Sequence, residues 1–208
     1  SIDESHTLDI NGHKISFHKY RDPAEIPWPK DNVDIVIDAT CGNGQDTRYL
    51  SQLVLDDSNG EVWAVDVQKT AIEKAKLFLE QNLSPSICNR VKYYYGCHST
   101  FPKQILPKSI ALVVYNLGYL PGGDKQLTTK VETTLKSIEK ALSLVKNGGA
   151  ISITCYPGHN EGAIEETALL DFFKSLSAKT WSCCHHQWLN RKNSPSLLFI
   201  QKKAIHHI

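Results

Sequence analysis

Methionine is missing from all 208 residues, including the first. A chain that starts without it is expected to have been processed or cut, with any address segment lost upstream. No apolar run approaches the roughly 18 residues needed to cross a bilayer, and no secretory signal is visible, so no membrane partner is expected. The six cysteines have neither a C-x-x-C pair nor regular spacing, which argues against a disulfide framework and for reduced thiols inside a cell. The run "CCHH" at 183–186 offers zinc-type side chains, but structural zinc wants spaced pairs of ligands, and no metal is expected. Repeats and low-complexity linkers are also absent, which excludes solenoids and arrays. Strong net charge is lacking as well. The total of +1 divides into 10 Lys/Arg against 15 Asp/Glu over residues 1–100, and 13 against 7 over residues 101–208. The basic C-terminal half permits an anionic partner, although a solvated mixed surface accounts for it too.

What is present is an ordinary globular composition, 41% hydrophobic and 22% charged, in a length that suits one main domain. "TLDINGHKISF" alternates apolar residues around Asn11-Gly12 and predicts a β-hairpin. The proline-rich "DPAEIPWPKD" follows it, so residues 1–30 are taken as hairpin and connection, and 31–208 as the domain. There, strand patterns at 34–39, 61–67, 90–96, 110–116 and 150–156 alternate with helical ones. The longest helical stripe runs Leu127, Val131, Leu135, Ile138, Leu142, Val145 and is expected to stop at Gly148-Gly149. The last two strand-like runs, "TWSCCHHQWL" and "SPSLLFIQKK", leave no room for a crossover helix and should pair antiparallel. A mostly parallel seven-stranded α/β sheet closing on an antiparallel hairpin is the Rossmann-like layout of class I S-adenosylmethionine-dependent methyltransferases.

"DATCGNGQDT" (38–47) follows the first of these strands and opens a helix. Gly42 and Gly44 let backbone approach a ligand closely, and Asp66, at the end of the next strand, suits ribose hydroxyls. NAD and S-adenosylmethionine compete for such a loop. A dinucleotide fingerprint wants a third small residue where Thr47 stands, and carboxylates at 38 and 46 are poor neighbours for pyrophosphate but good ones for a sulfonium and an ammonium. S-adenosylmethionine fits better; the bland alternative is that the glycines only turn the chain. His98 follows the third strand, either as a loop residue or as a ligand contact.

The fourth strand leaves the core through "NLGY" (116–119). Amino-group methyltransferases often place an Asn/Asp-Pro-Pro-aromatic loop here, whose Asn oxygen accepts the substrate N–H and whose ring stacks on the base. Asn116 and Tyr119 supply the same ends, against the alternative of a plain strand exit. Alignment and desolvation can carry most of the catalysis, since sulfonium is a strong leaving group. In "CYPGHNEG" (155–162), His159 could take a proton, contact a phosphate or cap the next helix.

Taken together, "DATCGNGQDT", "VDVQ", "YNLGYLPGGDK", "YPGHNEG" and "NRKNSPSLLFI" resemble the bacterial-type methyltransferases of the tRNA wobble uridine, long labelled rRNA methylases. The resemblance covers about residues 33–203. It implies N-methylation of 5-aminomethyl-(2-thio)uridine to the 5-methylaminomethyl form, with S-adenosyl-L-methionine as cofactor and a tRNA anticodon stem-loop as partner. By it, Asp38, Gly42, Asn43, Gly44, Thr47, Asp66, Gln68 and His98 line the cofactor pocket, with Thr40, Cys41, Asp46, Val67, Ser99 and Asn116 beside them. Asn116, Tyr119, Gly122, Gly123, Asp124, Lys125, Tyr156, His159 and Asn193 face the nucleotide, flanked by Leu117, Gly118 and Arg191. Lys125, Lys130, Arg191 and Lys192 are the basic residues to place along the stem, a solvated surface cation being the default reading for each. Cys41 departs from a usual small residue and Ser196 from a usual second proline. The same fold leaves open an rRNA or small-molecule amine methyltransferase, and a catalytically silent nucleotide-binding domain is the rival from another class. A monomer or homodimer is expected, in the cytoplasm, or in a chloroplast or mitochondrion if a transit peptide has been removed.

Overall fold

The computed structural model describes residues 5–10, 13–18, 34–55, 60–118 and 129–204, the first two stretches as backbone only. The chain divides into two compact units, Ser1–Asp31 and Asn32–Ile208. In the first, β1 (Ser5–Ile10) and β2 (His13–His18) pair antiparallel with Ile10 opposite His13, the register a two-residue connection at 11 and 12 imposes.

The second unit is a seven-stranded sheet built from β3 (Ile35–Asp38), β4 (Glu61–Asp66), β5 (Val91–Tyr95), β6 (Ile110–Asn116), β7 (Val145–Cys155), β8 (Trp181–His186) and β9 (Ser196–Lys202). Their spatial order is β5-β4-β3-β6-β7-β9-β8. The first five are parallel, and β9 runs antiparallel to β7 on one side and to β8 on the other. This is the layout the sequence pattern predicts. Among the described residues no helix is long and apolar enough to cross a membrane.

Helices cover both faces of the sheet, which is why its central strands read as continuous apolar runs. On one face Val36, Val62 and Ala64 pack with Leu50 and Val54 of α1 (Gln45–Leu55) and Ala75 and Leu79 of α2 (Lys69–Asn82). On the other, Ile37, Trp63, Val113, Tyr115 and Ile151 pack with Ile138 and Leu144 of α4 (Val131–Leu144) and Leu169 and Phe173 of α5 (Asn160–Lys174). Two short elements carry no sequence periodicity: α3 (Pro85–Cys88), with proline in its first turn, and a 3-10 turn at His98–Thr100.

One boundary differs from expectation. The long helix stops at Leu144, and Val145, which continues its apolar stripe, already opens β7 opposite Ile110. The pairing then jumps to Leu112 opposite Ala150. Gly148 absorbs the extra residues at φ +79°, a torsion that costs other residues free energy. Val145 is claimed by tertiary contacts, being fully buried and accepting Lys202 Nζ–H on its carbonyl at 2.8 Å. Pattern alone could not separate a last helical turn from a first strand residue, because both bury an apolar side chain.

Candidate active site

β3 pairs with β4 on one side and β6 on the other, so successive crossovers leave its end in opposite directions. A crevice opens at such a switch point, outside the carboxyl ends of the strands. Asp38, Asp66 and Asn116 are the last residues of β3, β4 and β6.

Hydrogen bonds to the neighbouring strands shape the loop after β3: Ala39 N–H donates to Val114 O at 2.8 Å and Cys41 N–H to Val65 O at 2.9 Å. Gly44, at φ +85°, lies against α2, and a Cβ there would come within 2.9 Å of Ala75 Cα. Thr47 is fully buried, and its Oγ1 donates to Asp38 Oδ2 at 2.6 Å while Thr40 N–H reaches Asp38 Oδ1 at 3.3 Å. Burial pushes the Asp38 carboxyl up to about 7; the Thr47 bond opposes that rise and the Asp46 charge adds to it. Asp66 accepts Gly42 N–H at 3.0 Å on one oxygen and Gln68 N–H at 2.8 Å on the other. Each oxygen keeps a second acceptor direction for a ribose hydroxyl. Burial raises this carboxyl too, and backbone bonds from Gln68, Gly42 and Val67 oppose the rise.

The remaining donor-side residues divide by burial. The Cys41 side chain is packed against the α1–α2 face, so its backbone is what it presents to the crevice. Asn43, Val67 and Gln68 keep exposure at the mouth. Ser99 Oγ is spent on Cys97 Sγ at 3.1 Å. His98 lies in the core, not on a surface loop, edge-on to Tyr115 at 6.0 Å, and its carbonyl accepts Ser137 Oγ–H at 2.9 Å. Burial lowers its imidazole to about 4, so it is neutral near pH 7, and its buried Nδ1 has no partner among the described residues. An orphaned buried nitrogen is one a bound ligand would satisfy. That nitrogen, the close backbone at Gly44 and three carboxyls that face no cation among the described residues fit the adenosyl and sulfonium ends of S-adenosylmethionine.

Asn116 anchors the acceptor side. Its N–H donates to Thr40 Oγ1 at 2.7 Å, its Nδ2 donates to the Asp46 carboxylate, and Tyr156 OH donates to its Oδ1 at 3.3 Å. The carboxylate fixes which end of the amide is which, because it can only accept. Oδ1 is therefore the acceptor at the strand tip. Leu117 continues the strand through N–H to Thr154 O at 3.0 Å and turns its side chain into the core, leaving only its backbone to a substrate.

Gly118 N–H donates to Thr129 Oγ1 at 2.9 Å and Thr129 N–H returns to Gly118 O at 3.0 Å. Thr129 Oγ1 donates in turn to Glu165 at 2.7 Å, and Thr134 Oγ1 to the other oxygen of the same buried carboxylate at 2.6 Å. Sequence reading missed this clasp, since nothing local couples residues 118, 129 and 165. Tyr119, Gly122, Gly123, Asp124 and Lys125 lie outside the described residues. His159 is the N-cap of α5, where Nδ1 accepts Gly162 N–H at 3.1 Å; Glu161 stands 3.5 Å away. A neutral imidazole in this cap carries its proton on Nε2 and is a donor there. Asn193, at φ +57°, comes beside the loop after β7: a Cβ on Gly158 would meet its carbonyl at 3.5 Å. Arg191 lies over the Trp188 ring at 4.9 Å.

Fold and crevice together define a class I methyltransferase, the class whose methyl donor is S-adenosylmethionine. Residues 62–202 match the family model described as "Putative rRNA methylase", and the chain belongs to that family. It is 38% identical over 199 residues, 92% of this chain and 72% of the relative, to a protein of Arabidopsis thaliana named "tRNA (mnm(5)s(2)U34)-methyltransferase, chloroplastic". A solved "putative rRNA-methylase" from Clostridium thermocellum superimposes with TM-score 0.75 at 35% identity, covering 82% of this chain and 89% of that one. A "putative methyltransferase" from Streptococcus mutans, solved in complex with SAH, gives 0.69 at 34% over 81% and 88%. A separate likeness to Eremothecium gossypii glyceraldehyde-3-phosphate dehydrogenase, 49% over 37 residues, spans 11% of that enzyme and shows neither its fold nor its activity here.

Proposed function

We propose that this protein transfers a methyl group from S-adenosylmethionine to the aminomethyl nitrogen of 5-aminomethyl-(2-thio)uridine at the tRNA wobble position, giving the 5-methylaminomethyl form. The observation that carries the reading is the Asn116 amide. With its NH₂ tied to the Asp46 carboxylate, its oxygen is left to accept an amine N–H, which orients the nitrogen lone pair. The kinship with the Arabidopsis wobble-uridine enzyme supports the substrate, and that relative's chloroplast address supports an organellar home.

When bound, S-adenosylmethionine would supply an electrophilic methyl carbon to the neutral amine: the amine lone pair would form the N–C bond, the C–S electron pair would stay on sulfur, and the proton lost from nitrogen would pass to solvent. The chain's own residues bind and orient. Asp38, Thr47 and Gly42–Gly44 hold the amino-acid end, Asp66 and Gln68 the ribose, and His98 the base. Asn116 aims the acceptor, and the Tyr156 hydroxyl steadies Asn116. Tyr119 stacks on the target base, with Gly122, Gly123, Asp124, Lys125 and Asn193 around the nucleotide. His159, the N-cap of α5, stands on the nucleotide side of the crevice.

The test is nucleoside mass spectrometry on tRNA carrying the unmethylated aminomethyl uridine, incubated with protein and donor. A nucleoside heavier by one methylene is expected. An unchanged tRNA, with methyl transfer instead to rRNA or a free amine, would sink the proposal.

A further inference from the structure

We infer that the loop joining β8 to β9, residues 187–195, is a stacking platform for an unpaired nucleotide of the RNA substrate, with Trp188 as its aromatic face and Arg191 as its cation. The inference rests on the RNA reading above. Trp188 is 59% exposed and Leu189 97% exposed, so neither side chain is there for the core. The Arg191 guanidinium, 4.9 Å from the indole centroid, holds the ring by a cation–π contact and presents a planar cation beside it. Nucleobases outside a duplex are gripped in this way, between aromatic faces and guanidinium planes.

Charge and position favour the same occupant. Residues 187–195 include Arg191 and Lys192 and no acid, a balance that attracts phosphate and repels acidic surfaces. The loop adjoins the acceptor residues: the Asn193 carbonyl lies beside Gly158, between Tyr156 and His159 in the chain, and Tyr156 donates to Asn116. A second copy of this chain is the competing partner for an exposed tryptophan and leucine. A two-fold contact there would set Arg191 and Lys192 against their own images, an unfavourable arrangement.

Four proteins, wild type, Trp188→Ala, Trp188→Phe and Arg191→Ala, are compared for binding an anticodon stem-loop RNA by fluorescence anisotropy at several salt concentrations. Trp188→Ala should weaken RNA about tenfold, with Trp188→Phe restoring most of it. Arg191→Ala should weaken it and reduce the salt slope by about 1. Both alanine variants should keep the wild-type melting temperature, donor affinity and sedimentation coefficient. RNA affinity unchanged in both, or a shift in sedimentation with Trp188→Ala, overturns the platform. Should wild type bind RNA through Trp188 yet leave the wobble uridine unmethylated, the proposed reaction fails while the platform stands.

Discussion

The donor half of the crevice is centred on one short stretch of chain, completed by Asp66, Gln68 and His98, whereas the acceptor half is collected from four stretches with no such centre. Residues 38–47 close on themselves and on Asp66 through buried bonds, Thr47 to Asp38 and Gly42 to Asp66, and their glycine backbone rests on α2. The acceptor half joins the tip of β6, the loop after β7, the first turn of α5 and the β8–β9 connection, with Tyr156 and Trp188 facing solvent. A small cationic donor is gripped best by fixed, desolvated carboxyls. A macromolecular acceptor needs an open face, so its contacts are exposed and more loosely tied.

The sharpest way to break this contrast is Asn116→Ala. Transfer should fall by about 10²–10³-fold in single-turnover assays, with donor affinity by calorimetry mostly intact. Loss of both together would move Asn116 into the donor half. Next is the pH dependence of donor binding. Raised to about 7 from an ordinary 3.8, the Asp38 carboxyl contributes stability that is full below about pH 4 and is lost as pH rises through 7. A bound cation favours the carboxylate, so donor affinity should climb about tenfold per pH unit toward 7 and level off above it. Proton release, read from calorimetry in two buffers at pH 7, checks this, and Asp38→Asn should flatten the profile.

A smaller effect tests the clasp. Glu165→Gln should cost about 2 kcal/mol of stability, because Thr129 and Thr134 both donate to that carboxylate. RNA turnover should fall and donor affinity hold; Thr129→Val should behave alike and Thr129→Ser like wild type. Equal losses of donor and RNA would mean that Glu165 serves the core generally. The smallest effect belongs to Gly148→Ala, whose methyl would meet nothing within 4 Å. Only the torsion opposes it, so about 1 kcal/mol in denaturant melts with unchanged transfer is expected.

This division also marks what could be read from residues alone. The donor loop was legible because its chemistry is local: glycines, a threonine in place of a small residue and two acids occupy one run of ten. The parallel sheet was legible from strand–helix alternation, and its antiparallel close from the missing crossover helix. The tie between Asp46 and Asn116, 70 residues apart, was not. Nor was the Glu165 clasp, nor the cap that commits His159 Nδ1. Each depends on where distant elements meet, and residue type cannot separate a capping histidine from a proton acceptor. Val145 shows the same limit inside the fold, where tertiary pairing overrode a helical stripe.

The insertion of β9 between β7 and β8 has a consequence for biosynthesis. While residues 196–202 are still inside the ribosome, β7 has an unpaired edge and β8 has no neighbour to join. The parallel portion that carries the donor loop can form during translation, but the nucleotide-facing side closes only when the final strand slides home. A chain stalled shortly before that point would carry its donor loop on a sheet whose β7 edge is still open.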